Sequence, residues 1–136
     1  MKLFIDSASV KTIEELVPLR VIDGVTTNPS LLAKETGQPT EMLRQICEVV
    51  KGPVSAEVVA TDASEMIREG KQLAEIHEQI VVKVPFGKDG VKACAALTSE
   101  GIRVNVTLVF SASQAILAAK VGATFVSPFV GRIDDL

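Results

Sequence analysis

Six apolar, β-branched runs recur along the chain at intervals of roughly 20–30 residues, the length of one strand plus one crossover helix. They occupy residues 2–6, 24–28, 54–59, 80–86, 103–110 and 124–130. Between them the pattern changes to helical spacing. Val10, Ile13, Leu16 and Val17 mark one apolar face behind a Ser7 or Ser9 cap, and Met42, Leu43, Ile46, Val49 and Val50 mark another over 40–50. Gly52-Pro53 separates that helix from the third run. Asp62 or Ser64 caps a long helix bearing Met66, Ile67, Leu73 and Ile76, and further helices over 88–100 and 111–121 stop at Gly101 and Gly122. Six strands alternating with five helices, with no linker or low-complexity run between them, predict one α/β domain spanning residues 1–136.

Two α/β architectures remain, an open doubly wound sheet and part of a (βα)8 barrel. Asp6, Asn28, Glu57, Lys83, Thr107 and Ser127 each lie in or at the end of a different strand. Each has an ordinary structural role open to it: a helix cap for Asp6, a turn for Asn28, plain strand preference for Thr107. One polar group on each successive strand is what a barrel requires, because inward side chains at the strands' C-terminal ends converge on one mouth. The Gly-rich G-x-G-x-x-G turn that often accompanies an open nucleotide-binding sheet is absent. The pattern predicts a barrel.

The fourth run, Ile80-Val81-Val82-Lys83-Val84-Pro85-Phe86, has no polar alternation and reads as a strand buried on both faces. Lysine is among the residues least often buried. Lys83 either snorkels from a strand end or is kept partly neutral by desolvation, and a neutral amine is a nucleophile for ketones and aldehydes. Its attack gives a carbinolamine that must lose water, a step needing a proton donor and a positioned water, roles for Glu57 and Thr107. The resulting iminium withdraws electrons, so an adjacent C–C bond can break while Asp6 takes the hydroxyl proton. Asn28 and Asn105 suit hydrogen bonds to substrate hydroxyls, and Arg132 suits a phosphate or carboxylate.

Composition narrows the classes further. A chain of 136 residues, 47% hydrophobic and 23% charged with net charge −3, is long enough for a real core. Its mild acidity argues against nucleic-acid or membrane partners, and the absence of Trp and Tyr against base-stacking platforms. Cys47 and Cys94 fall in helices outside any C-x-x-C pair and read as buried free thiols. His77 has no ligand-spaced companions, so no metal is expected, and it reads as a surface helix residue. Met1 runs straight into the first strand with no signal peptide or bilayer-length apolar span, which predicts a cytoplasmic protein.

These residues resemble a known family. Phe4-x-Asp6, Gly24-Val25-Thr26-Thr27-Asn28-Pro29-Ser30, Ala56-Glu57-Val58 and Val82-Lys83-Val84-Pro85 are similar to transaldolase motifs. So are Asn105-Val106-Thr107-Leu108-Val109-Phe110-Ser111 and Ser127-Pro128-Phe129-Val130-Gly131-Arg132-Ile133-Asp134-Asp135. The likeness covers the whole chain and is nearest to the small subfamily that includes the fructose-6-phosphate aldolases. It implies a class I aldolase (βα)8 barrel of TIM type, without metal or organic cofactor. Lys83 would form the Schiff base, Asp6 would be the acid/base for C–C cleavage, and Glu57 with Thr107 would hold the catalytic water. Asn28, Asn105 and Ser127 would contact a dihydroxyacetone unit, and Arg132 a phosphate. The implied reaction moves that unit from sedoheptulose 7-phosphate or fructose 6-phosphate to an aldose phosphate in the pentose phosphate pathway.

Glu57 and Phe129 stand where the aldolases carry Gln and Tyr, which favours transfer over aldolase-type cleavage, since phenylalanine has no hydroxyl to assist release. Family members complete eight βα units and this sequence carries six, so the barrel is expected to be incomplete within one chain. Open strand edges are costly in water, and the expectation is a homo-oligomer that pairs or swaps them. The alternatives are a fructose-6-phosphate aldolase-like activity or an inactive truncated fragment that oligomerises.

Overall fold

The continuous Val/Ile runs are parallel strands. The computed structural model describes residues 1–131, with β1 (Phe4–Asp6), β2 (Gly24–Thr26), β3 (Val54–Glu57), β4 (Ile80–Pro85), β5 (Val104–Val109) and β6 (Phe125–Pro128). They alternate with α1 (Val10–Leu16), α2 (Pro29–Leu32), α3 (Pro39–Val49), α4 (Ala63–Ala74), α5 (Lys88–Ser99) and α6 (Ala112–Lys120). The strands follow one another across the sheet in sequence order, β1 to β6, and β1–β2, β2–β3, β4–β5 and β5–β6 pair in parallel. A doubly wound sheet reverses its strand order at a switch point, and this one does not. Sequential parallel order belongs to the (βα)8 class, of which the chain carries about six units.

The helix after β2 was not expected. Asn28 and Pro29 start the single turn α2, in which Pro occupies a position where its missing N–H is no loss. His77 also departs from expectation: α4 ends at Ala74, and His77 sits half-buried in the turn behind it. There its Nδ1 accepts from the Gln79 N–H at 3.1 Å, which ties the turn to the start of β4. Strands β3 and β6 are shorter than the apolar runs that announced them, and Val59 and Val130 lie exposed beyond their ends.

The backbone divides into two compact units. The first holds Met1–Glu57 and Gln72–Val81. Its core is Ile13, Leu43, Ile46, Val25 and Val54, all essentially without exposure. Ser9, not Ser7, caps α1, accepting from the Thr12 N–H at 3.4 Å. Gly24 is required by a close approach, since a Cβ there would lie 2.4 Å from the Phe4 ring and 2.6 Å from the Pro53 carbonyl oxygen. The Gln79 side-chain amide donates to the Val50 and Gly52 carbonyls, while the Val54 N–H donates to the Gln79 carbonyl at 3.0 Å. One glutamine thus satisfies the backbone where the chain turns from α3 into β3.

The second unit holds Val58–Lys71 and the chain from Val82 onward. Val82, Val84, Val104 and Val106 are fully buried, as are Ala93, Cys94 and Leu97 of α5. Gly90 lets α5 start close behind β4: a Cβ on it would sit 1.8 Å from the Pro85 carbonyl oxygen. Asp62 caps α4 by accepting from the Glu65 N–H at 3.1 Å. Glu69 reaches out of α4 to accept from the N–H groups of Val59, at 2.8 Å, and Ala60, at 3.1 Å. That carboxylate holds the loop leaving β3. Cys47 in the first unit and Cys94 in the second are buried free thiols. Among the described residues no helix is long and apolar enough to cross a membrane.

Candidate active site

In the second unit the polar residues gather on β4, β5 and β6. Lys83 lies in the middle of β4 with 6% of its surface exposed, and parallel register sets it beside Asn105. Asn105 is buried in turn, and its Oδ1 accepts from Ser127 Oγ on β6 at 2.9 Å. Two residues on, Thr107 is buried opposite Pro85, and its carbonyl accepts from the Phe86 N–H at 2.7 Å. Alternation along a strand places Asn105 and Thr107 on one face. The Phe129 ring packs against Phe110 with centroids 5.8 Å apart and planes tilted by 57°. Arg132 lies outside the described residues.

Burial of an ammonium, an amide and a hydroxyl on neighbouring strands is expensive unless each polar atom is bonded. Among the described residues no buried side-chain nitrogen or oxygen lacks a hydrogen-bond partner. The sequence identified Lys83, Asn105, Thr107 and Ser127, and the structure unites them in this unit. It did not identify Phe110, which reads as the end of a strand and carries no polar signal.

In the first unit Asp6 ends β1 in register with Thr26, and its Oδ1 accepts from Thr26 Oγ1 at 2.8 Å. The threonine hydroxyl therefore orients the carboxylate, a role the sequence did not reveal although Thr26 stands inside the Gly24–Thr26 strand. Asn28 caps α2, its amide oxygen accepting from the Leu31 N–H at 2.9 Å. From sequence Asn28 reads as a turn residue; the structure makes it the N-cap of a short helix. Thr27 is fully buried, with both its N–H and its Oγ1 donating to the Ser55 carbonyl, at 3.0 and 2.8 Å. Glu57 ends β3 half-buried. Among the described residues no three His, Cys, Asp or Glu side chains form a group able to hold a metal ion.

A lysine, an amide and two hydroxyls thus stand on adjacent parallel strands. Residues 3–136 match the family model described as Transaldolase/Fructose-6-phosphate aldolase. Curated relatives named "Probable transaldolase" come from Dinoroseobacter shibae (62% identical), Myxococcus xanthus (59%) and Desulforapulum autotrophicum (57%). Each alignment covers the whole of this chain but only 61–63% of the relative, so the chain spans less than two thirds of their length. With a match over nearly every residue, and with the lysine strand and its polar neighbours set out as described, the chain belongs to the transaldolase/fructose-6-phosphate aldolase family.

Proposed function

We propose that the chain carries transaldolase chemistry: transfer of a dihydroxyacetone unit from a ketose phosphate, sedoheptulose 7-phosphate or fructose 6-phosphate, to an aldose phosphate. The observation that carries the proposal is the buried Lys83 on β4 in register with Asn105, which is itself bonded to Ser127. The relatives, named probable transaldolases, support it.

In this mechanism the Lys83 amine adds to the ketone carbon, and the carbinolamine hydroxyl takes a proton through the water that Glu57 and Thr107 hold and leaves as water, giving the iminium. Asp6 then removes the proton from the neighbouring C4 hydroxyl. The C3–C4 bond breaks, its electron pair flows into the iminium to give an enamine, and the aldose phosphate leaves. The enamine carbon next attacks a second aldehyde, Asp6 returns the proton, and hydrolysis frees the lysine. Asn28, Asn105 and Ser127 bind the hydroxyls of the three-carbon unit, Phe129 closes its apolar side, and Arg132 takes the phosphate. No metal or organic cofactor enters. Phe129 and Glu57 favour transfer over fructose-6-phosphate aldolase-like cleavage. The setting proposed is cytoplasmic sugar-phosphate metabolism, in the pentose phosphate pathway.

Incubation with fructose 6-phosphate followed by borohydride reduction tests this. A three-carbon adduct mapped by mass spectrometry to Lys83 is the expected result. A folded chain that gives no adduct would overturn the proposal in favour of an inactive member of the family.

A further inference from the structure

The end of β5 is irregular in a way the catalytic proposal does not use. Asn105 pairs with Phe125 and Val106 with Val126, but Val109, not Leu108, pairs with Pro128. Thr107 and Leu108 together therefore face Ser127, and the strand carries one extra residue. Leu108 absorbs it in the left-handed region, at φ 56°, a conformation that side chains other than Gly, Asn and Asp rarely adopt.

The extra residue resets the alternation of the strand. Asn105 and Thr107 point to one face, and an unbroken strand would place Val109 there next. Instead Val109 takes the opposite phase and is buried with Val104 and Val106, and Phe110 falls in phase with Asn105 and Thr107. Two further contacts fix Phe110 there. Its N–H donates to Gln114 Oε1 at 2.7 Å, while Gln114 donates its own N–H to Ser111 Oγ, the cap of α6, at 3.3 Å. Its ring, on a residue 42% exposed, lies against Phe129, whose N–H donates to the Val109 carbonyl at 2.9 Å. A strained leucine, a capping glutamine and an aromatic contact thus all serve to present a half-exposed phenyl ring.

We infer that Phe110 is a positioning residue for Phe129, and that the two rings form an apolar wall beside Asn105, Thr107 and Ser127 that limits water at the reacting carbon. The inference rests on the reading in which Lys83 carries a three-carbon enamine. That enamine has two fates. Its nucleophilic carbon bonds to an aldehyde and completes transfer. Otherwise the carbon takes up a proton, water adds to the imine carbon and the C–N bond breaks, releasing dihydroxyacetone and the lysine amine. The wall favours the first fate.

The test compares the chain with Phe110→Ala and Phe110→Trp. Hydrogen exchange at the Phe129 amide is expected to quicken in the alanine variant by about three- to tenfold, the range set by one aromatic pair, and to return with tryptophan. With fructose 6-phosphate as donor and erythrose 4-phosphate as acceptor, dihydroxyacetone released per transfer is expected to rise by a similar factor in Phe110→Ala. The borohydride adduct at Lys83 still forms in that variant. Unchanged Phe129 exchange would overturn the positioning role, and faster exchange with an unchanged release-to-transfer ratio would overturn the water-limiting role. A parent chain that forms no adduct would instead overturn the proposed function, leaving the exchange comparison to decide whether Phe110 holds Phe129.

Discussion

A lysine side chain on a buried strand sets a polar group among apolar neighbours. Lys83 is so placed, and its replacement separates chemistry from fold. Lys83→Met keeps the length and apolar stem while removing the amine. Lys83 has a partner in the folded chain, and removing one member of a buried bonded pair leaves the other unsatisfied at a cost of about 1–3 kcal/mol. The variant is expected to keep the parent's circular dichroism spectrum, to melt lower and to give no borohydride adduct. An unchanged melting temperature would show that the lysine does nothing to hold the strand. The two thiols make a different demand at this scale. Burial pushes Cys47 and Cys94 from 9.0 up to about 11, with the Glu48 carboxylate adding to the rise at Cys47. Because the folded values are raised, the stability they contribute is complete below pH 9 and is lost as the pH climbs through about 11. The loss approaches about 2 kcal/mol per thiol. Unfolding in denaturant, followed by circular dichroism between pH 8 and about 11, is expected to show this fall, and Cys94→Ala a shallower one. A flat profile would contradict the buried placement.

Among the α-helices, α2 is the shortest, with four residues, and one side chain caps it. Asn28 has two duties, capping this turn through its amide oxygen and, in the proposed mechanism, donating to substrate. Asn28→Asp keeps the oxygen and loses the donor, so stability should stay within about 0.5 kcal/mol while the trapped adduct falls. Asn28→Ala loses both, at a cost of about 1 kcal/mol. Equal stability in the two variants, measured by urea denaturation, would remove the capping role. The same element shows where sequence reasoning stopped. Asn28-Pro29 has a turn's chemistry whether or not one helical turn follows, and four residues are too few to display a period. The strands were legible because residues such as Val82, Val84, Val104 and Val106 are wholly buried and leave an unbroken apolar run. Their ends were not, because Val59 and Val130 are as β-branched as the residues inside. Leu108 was invisible for a related reason: a bulge normally advertises itself with glycine, and leucine advertises a regular strand. Lys83, Asn105, Thr107 and Ser127 could be named from their strands, but the bond between Asn105 and Ser127 depends on register, which sequence spacing alone does not set.

On the scale of the whole molecule, β1 and β6 are the end strands of the sheet among the described residues. Beside β6, α6 exposes Ile116 at 68% and Leu117 at 55%. Adjacent exposed aliphatic side chains favour association between copies. Self-association is therefore proposed, and sedimentation velocity should show species heavier than 14.4 kDa that grow with concentration. A single monomeric boundary across that range would refute it. The order of the strands has a consequence for how such a chain is made. Each strand's partner is the one synthesised just before it, so no pairing has to wait for a distant segment to leave the ribosome. Folding can then keep pace with translation, one crossover at a time. The cost is that at every moment of synthesis the newest strand is a bare edge, until the next one arrives to cover it.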